Sequence, residues 1–369
     1  MKRSLGILIF IIVLVTAACN DGPVGIFASI ASEAKVTYTG TEAFKKATPS
    51  NVVKREETLY AVITKLWKKN GTKWEKVASL PANAFYASAA VVNVTTLYVS
   101  FLDSSAHALG VYSTIDDNTW LRVDQNFPAS GEQVQQLLTV NNNVFAVTST
   151  KGADDKTEYV LYELNGNIFE QRKAGGTNLF YVVYHSSTYY VASGANVWTT
   201  SDFTSYSEPA SLTLSENDYV TGLAVIDSKP TVTTASGKVY WFDGSNWQST
   251  AALKVANNEL YLSSMVEHNS HHLIIATNSV TRKVGDTSKT APAAGYVELD
   301  LPLITTSTQK ETSALSTATQ TNFSSTIGTT ALSMLVMIDN TLYAGSVGNG
   351  LWSNKYNGSS WSGWQRETD

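Results

Sequence analysis

The residue cluster with the clearest potential for metal chemistry is "EHNSHH", Glu267 to His272. Imidazole nitrogens at His268, His271 and His272 are ligands that suit zinc and other transition metals. The corresponding position in related segments of the chain reads "NVTT", "NNN" and "HSST", which are polar turns. The comparison favours a polar turn over a metal site, and we expect no cofactor.

Two other stretches carry side chains that could contact a ligand. One contains Asp103 and His107, and the other is the charged run "KGADDK", with Lys151, Asp154 and Asp155. The carboxylates of that run do not have the spacing of a calcium-binding loop. Both stretches are predicted to be loops. Their residues are candidates for ligand contact, although ordinary solvated loop residues are the favoured interpretation.

Sequence motifs for enzymatic chemistry are absent from the chain. We find no nucleophile elbow, Walker loop, dinucleotide fingerprint or zinc-protease helix. The formal net charge of the 369 residues is −5, and a nucleic-acid binder normally presents a basic face. These observations favour a protein that is neither an enzyme nor a nucleic-acid binder.

The N-terminus, "MKRSLGILIFIIVLVTAACN", has the layout of a secretory signal peptide. A basic start precedes an apolar core that is shorter than the roughly 20 residues of a spanning helix. The only cysteine, Cys19, follows "TAA", and Thr16 to Cys19 resembles the lipobox of bacterial lipoproteins, with Thr16 where leucine is usual. The resemblance implies that Cys19 is lipidated, the alternatives being an uncleaved anchor or a plain signal peptide.

A short apolar run recurs along the chain. Its copies are "LYAVI", "LYVSF", "VFAVT", "YYVAS", "PTVTT", "LIIAT" and "LYAGS", beginning at Leu59, Leu97, Val144, Tyr189, Pro230, Leu273 and Leu342. Five of the six gaps lie near 43 residues, and the last, of 69, indicates one period plus an insertion. A second pair such as "LW" or "VY" follows six runs, whereas the sixth unit has only Val280 and Thr281 there.

A third element is a turn followed by an aromatic residue. "NGTKW", "NGNIF", "DGSNW" and "NGSSW" share one spacing, and "DDNTW" and "DFTSY" keep the first residue and the aromatic. Asn-Gly and Asp-Gly supply the positive φ angles of tight hairpin turns. We expect the aromatic to return into the core on the next strand; the six residues are Trp74, Trp120, Phe169, Tyr206, Trp247 and Trp361.

The repeat predicts an all-β fold, namely a β-propeller, and favours seven four-stranded blades. An apolar stretch before each run completes four strands in about 43 residues, the size of one blade. Six or eight blades are the alternative counts. A β-sandwich does not repeat one phrase seven times, and Asn-Gly turns in the units exclude helical repeats.

The turns resemble the Asp-box of sialidase-like propellers, with "STIDDNTW", Ser113 to Trp120, as the nearest copy, and "DGSNW" is similar to kelch-like hairpins. The resemblance implies fold and not chemistry, because the Asp-box is structural in that family. A sialidase would need an arginine triad. After the signal peptide only five arginines remain, and we expect Arg122, Arg172 and Arg366 on outermost strands.

These expectations combine into one arrangement. Residues 1–18 form a lipoprotein signal peptide, 19–35 a lipid tether, and 36–369 a propeller with a Ser/Thr-rich insertion at about 286–331. The expected protein is a monomer in the cell envelope, anchored to the outer face of the inner membrane or to the outer membrane. Its propeller would bind or scaffold a protein or glycan. The alternative is a propeller hydrolase or lyase acting on polysaccharide.

Overall fold

The structure, a computed structural model, describes residues 43–124, 132–151, 156–255, 257–268, 272–284, 287–300, 327 and 330–369. The predicted signal peptide, the tether, Cys19, Asp154, Asp155 and His271 lie outside these residues. The described part of the chain has one helix, α1 (Ala43–Lys46), and therefore none long and apolar enough to span a membrane.

Seven antiparallel sheets follow one another along the chain, and each is one blade. Blade 1 consists of β1 (Asn51–Arg55), β2 (Thr58–Ile63), β3 (Lys65–Asn70) and β4 (Lys73–Lys76). Blade 2 consists of β5 (Tyr86–Asn93), β6 (Thr96–Leu102), β7 (Ala108–Thr114) and β8 (Leu121–Arg122). Blade 3 consists of β9 (Gln133–Val140), β10 (Asn143–Lys151), β11 (Thr157–Asn165) and β12 (Ile168–Gly176).

Blade 4 has three strands, and an isolated bridge between Thr199 and Ser207 marks its fourth edge. The strands are β13 (Tyr181–His185), β14 (Thr188–Ser193) and β15 (Asn196–Thr200). Blade 5 consists of β16 (Val220–Ile226), β17 (Lys229–Thr234), β18 (Val239–Phe242) and β19 (Trp247–Ser249). A small hairpin, β20 (Lys254–Val255) and β21 (Asn258–Glu259), connects blade 5 to blade 6.

Blade 6 interrupts the regular pattern. Its described strands are β22 (Tyr261–His268), β23 (His272–Asn278) and β26 (Tyr296–Asp300), and a hairpin, β24 (Thr281–Val284) and β25 (Thr287–Thr290), is inserted before β26. Blade 7 consists of β27 (Leu332–Ile338), β28 (Thr341–Ser346), β29 (Gly350–Lys355) and β30 (Gln365–Arg366).

The first strand of each blade lies innermost, and these strands neighbour one another in cyclic order, with β27 next to β1. Chain direction then gives the ring two faces. The loop face carries the connections between blades and the loops between second and third strands. The turn face carries the short turns between the other strand pairs, where residues such as Asn141 and Asn142 have φ of 51° and 60°. Seven blades in a ring confirm the predicted β-propeller.

Seven clusters of buried side chains fill the seven gaps between neighbouring blades. Each predicted turn aromatic lies in the cluster between its own blade and the preceding one, Trp74 and Phe169 fully buried and the other four partly buried. Three donate a hydrogen bond to a backbone carbonyl in or after the preceding blade: Trp120 to Ser79, Tyr206 to Arg172 and Trp247 to Ala210. The aromatic repeat therefore exists because a blade cannot bury both faces alone.

The ring closes between blades 1 and 7 without exchanging a strand among the described residues. The segment before β1 contributes Phe44, which is 1% exposed and packs edge-on against Trp67 at 4.9 Å between ring centroids. The carboxylate of Glu367 accepts hydrogen bonds from Trp74 Nε1 at 2.7 Å and Lys69 Nζ at 2.8 Å. The closing gap is thus sealed by aromatic packing and by hydrogen bonds to Glu367 near the C-terminus.

The repeated phrases occupy the positions that the sequence predicts. The seven apolar runs are the second strands of the seven blades, and the Asn or Asp turns connect third to fourth strands. Blade 6 is the exception, since Thr281 begins the inserted hairpin and the third strand begins at Tyr296. That strand lies inside the range of about 286–331 expected as a Ser/Thr-rich insertion; residues 301–326 lie outside the described ones.

Candidate functional site

A central channel opens between the inner strands and encloses a cavity of about 490 Å³. Its lining comes from blades 1 to 7, and none of the described lining residues carries a charge. The polar lining residues are Ser50, Asn51, Ser88, Gln135, Gln136, Tyr181, Thr221, Tyr261, Ser263, Ser264, Asn278 and Ser333. The channel therefore offers hydroxyl and amide groups rather than carboxylates or ammonium groups.

Several of these polar side chains form hydrogen bonds that connect the inner strands of adjacent blades. Asn51 Nδ2 donates to the carbonyl of Ala90 at 2.8 Å, which joins blade 1 to blade 2. Ser264 Oγ accepts the amide of Leu335 at 2.7 Å, which joins blade 6 to blade 7. Neighbouring inner strands do not form a common ladder, so side-chain bonds replace it. These groups are structural.

Two lining atoms on the adjacent blades 2 and 3 are buried without a partner. Ser88 Oγ and Gln136 Oε1 have no hydrogen-bond partner among the described residues. A buried polar atom left unpaired costs about 1–3 kcal/mol, so both atoms favour a ligand or water molecule that satisfies them. They are the groups of the channel wall with hydrogen-bonding capacity to spare.

Four tyrosines, which we call the tyrosine group, lie near the channel on the loop face: Tyr159, Tyr181, Tyr219 and Tyr261. Tyr181 and Tyr261 line the channel, and the hydroxyls of Tyr219 and Tyr261 are 3.4 Å apart. Burial raises the pKa of Tyr181 and Tyr261 well above the usual range, and the neighbouring phenols add to the shift. The phenols of Tyr181 and Tyr261 therefore stay protonated and act as neutral hydrogen-bonding groups.

The loop from Asp103 to His107 lies between β6 and β7 on the loop face, as the sequence predicts. Asp103 Oδ1 accepts the backbone amides of Ser105 at 2.8 Å and His107 at 2.9 Å. The backbone amide of His107 contributes most to lowering the pKa of Asp103. The carboxylate stabilises its own turn, whereas the His107 side chain is 80% exposed.

The charged run that begins at Lys151 is also on the loop face. Lys151 is the last residue of β10, is exposed, and precedes residues outside the described ones. Ligand contact by Asp154 and Asp155 therefore remains a prediction.

The histidine cluster is at the turn-face end of blade 6. His268 is buried and packs against Trp361 at 4.7 Å and edge-on against Tyr356 at 4.5 Å between ring centroids. His272 begins β23, and its side chain lies outside what the structure describes. No group of three potential metal ligands occurs in the described part of the chain. His268 thus has a packing role beside the turn aromatic of blade 7.

The arginines are placed as expected, away from the channel. Arg122, Arg172 and Arg366 lie on fourth strands, and the first two pair locally with Asp124 and Glu163, each at 2.7 Å. The sialidase triad is therefore not assembled from these three residues.

Sequence reasoning did not identify the tyrosine group, although a signal was present. A tyrosine stands at or directly before the start of the inner strand in blades 4, 5 and 6, at Tyr181, Tyr219 and Tyr261. Strand starts on inner strands face the loop-face mouth of the channel. Aligning the repeats at the first residue of the inner strand would have revealed three of the four members of the tyrosine group.

No protein-family model matches this sequence, and no curated protein is significantly similar to it. Solved structures do share the fold. An ancestral GH74 enzyme superposes with a TM-score of 0.54 at 12% identity over 88% of this chain and 47% of its own. The extracellular domain of a hybrid two-component system from B. thetaiotaomicron gives 0.51 at 10% identity over 83% and 39%.

A computationally designed protein, Ika8, gives a TM-score of 0.50 at 9% identity over 85% of this chain and 97% of its own. This chain spans less than half the length of the GH74 enzyme and of the two-component-system domain. Identities near 10% carry information about architecture alone. Together with the closed ring of blades, they show that this chain is a seven-bladed β-propeller.

Proposed function

We propose that this protein is a lipid-anchored component of the cell envelope whose propeller binds a glycan at the loop-face mouth of the central channel. The observation that carries the proposal is the chemistry of the channel lining, which is rich in hydroxyls, amides and tyrosines and has no charge among the described residues. A scaffolding role toward a protein partner is the other outcome that the experiments below distinguish.

Sugars present many hydroxyl groups that donate and accept hydrogen bonds, and apolar C–H faces that pack on aromatic rings. The exposed side-chain amide of Gln135 lines the channel beside Gln136 and Ser88, whose unpaired Oε1 and Oγ are buried in the channel wall. Tyr181 and Tyr261 provide apolar rings that end in a hydroxyl group, which suits a site that is partly apolar and partly hydrated. The uncharged, hydroxyl-rich ring of a sugar matches this combination of groups.

Replacing Tyr181 with alanine should weaken glycan binding by about tenfold or more, because an anchoring aromatic typically contributes at least 1.4 kcal/mol. Tyr184→Ala is the matched control, since Tyr184 lies near the turn-face end of the same strand, β13, outside the channel. Binding is measured by affinity electrophoresis against neutral and acidic polysaccharides, with thermal unfolding to verify folding. Equal loss in both variants would contradict a site at the channel mouth.

The second candidate function is a polysaccharide hydrolase or lyase. The shared fold with a GH74 enzyme favours it. Glycoside hydrolysis generally uses two carboxylates flanking the bond, and the described channel lining has none. Glu132, just before β9, is the best single candidate: burial raises its pKa, and Tyr162 Oη lies 3.4 Å from its Oε1. Release of reducing ends by the wild type, lost in Glu132→Gln, would replace the binding proposal.

Lipid attachment at Cys19 carries the membrane part of the proposal. Its support is the lipobox-like sequence at the end of an apolar leader. Radiolabelled palmitate should enter the wild type and be absent from Cys19→Ala, because the proposal makes Cys19 the residue that carries the lipid. The measurement is autoradiography of the purified protein, with fractionation to assign the inner or outer membrane. Equal labelling of the two proteins would remove the anchor.

A further inference from the structure

A second cavity, of about 320 Å³, lies between the two small hairpins on the loop face. One wall is the β20–β21 hairpin, and the other is the β24–β25 hairpin inserted into blade 6. Gly237, at φ +82°, lets the first hairpin sit against blade 5, since a Cβ there would meet the carbonyl of Leu260 at 2.8 Å. We call this cavity the hairpin pocket.

The hairpin pocket is positively charged although the protein as a whole is acidic. Its described lining includes Lys254, Arg282, Lys289 and one carboxylate, Glu259, a net charge of +2. Arg282 is fixed within the wall, because its side chain is 10% exposed and its Nη2 is 2.8 Å from Glu259 Oε2. The two lysines are exposed and have no ion-pair partner among the described residues. They are therefore free to bind an anionic group.

The hairpin pocket adjoins the mouth of the central channel. Glu259 in the pocket is two residues before Tyr261, which lines the channel. On the other side, Asn278 lines the channel and Arg282, four residues later, lines the pocket. Two short connections thus join the neutral, hydroxyl-lined site to the cationic one on the same face. Because two and four extended residues span at most about 7 and 14 Å, an oligosaccharide of several sugars is long enough to reach both sites.

We infer that the glycan is acidic, and that the hairpin pocket binds its carboxylate or sulfate groups through Lys254 and Lys289. This inference rests on the proposed function, because it assigns the ligand class of the same loop face. Ammonium groups bind oxyanions through charge-assisted hydrogen bonds, whose strength falls as salt screens the exposed charges. The uncharged sugar rings remain the ligand of the channel mouth.

The test compares matched pairs of polymers by affinity electrophoresis and titration calorimetry. Polygalacturonate is compared with its fully methyl-esterified form, and dextran sulfate with dextran, so that carboxylate and sulfate are separated. We expect the full-length wild type to bind at least one acidic polymer about tenfold more tightly than its neutral partner, and to lose that preference at high salt. The double variant Lys254→Gln/Lys289→Gln should lose it as well.

Lys283→Gln is the matched control, because Lys283 is exposed on the same hairpin, on β24, and does not line the pocket. The inference would be overturned by equal binding of acidic and neutral polymers, or by a loss of preference in Lys283→Gln as large as in the double variant. Either result would leave glycan binding in place. Binding of no glycan at all would overturn the proposed function too. Binding of a polyglutamate peptide in place of the glycans would assign the pocket to an acidic protein.

Discussion

Replacing Trp74 with alanine should lower the free energy of unfolding by about 4 kcal/mol, as large-to-small changes of buried tryptophan do. The indole is 2% exposed in the cluster between blades 7 and 1. Its Nε1 donates to Glu367 Oε2 at 2.7 Å, and its backbone amide donates to the carbonyl of Thr368 at 3.2 Å. The substitution removes packing and leaves a buried carboxylate with one donor fewer.

Urea-induced unfolding measures this effect. Trp247→Ala is the matched control: it changes the same repeat position in blade 5, where the indole is only partly buried, and it should cost less. Trp74→Phe should recover part of the loss by refilling the space without the hydrogen bond to Glu367. A loss below about 1 kcal/mol for Trp74→Ala would mean that the ring does not depend on the closing gap.

Replacing Asp117 with glycine should cost about 3–5 kcal/mol, because it leaves a buried guanidinium without its anion. Arg55 Nη2 lies 2.7 Å from Asp117 Oδ1, and the two side chains are 9% and 12% exposed. Tyr60 Oη also donates to this carboxylate, at 2.9 Å. Burial, with Asp117, raises the pKa of Tyr60 well above its usual range, so the phenol stays a donor. Glycine is chosen because residue 117 has φ of +64°.

Adding Arg55→Met to Asp117→Gly should restore part of the stability, since no uncompensated charge then remains buried between blades 1 and 2. Arg55→Met alone should be destabilising too, because it strips a hydrogen-bond donor from Tyr60 and Asp117. Urea unfolding of the four proteins gives the coupling energy directly. Strictly additive effects would show that this ion pair does not join the two blades.

The repeat made the blade architecture predictable in some detail. The seven apolar runs became the second strands, and the turn aromatics entered the gaps between blades because hairpin spacing is a local property of the chain. Blade 6 departed from the pattern because the hairpin β24–β25 displaces its third strand to Tyr296. Such an insertion adds a local strand pair with no counterpart in the sibling units, so periodicity could not locate it.

Candidate site residues were less predictable than the fold. The sequence placed Asp103 and His107 on the loop face, and the structure shows Asp103 stabilising its own turn there. It gave His268 as a candidate metal ligand while favouring a polar turn, and the structure shows the ring packed against Trp361. The channel mouth and the hairpin pocket were not singled out, because their residues are ordinary tyrosines, glutamines and lysines whose importance depends on what they face.

The sequence by itself predicted seven blades, the strand order within every blade except blade 6, and the turn aromatics that fill the gaps between blades, since these depend on turn chemistry and on spacing within about 43 residues. Only the tertiary structure decided which side chains share the channel and which line the hairpin pocket. The channel groups come from all seven blades, and the pocket groups come from two separate hairpins that flank the first strands of blade 6. Closing the ring brings strand ends from blades 4, 5 and 6 to one mouth, and closure is a property of all seven units packed together.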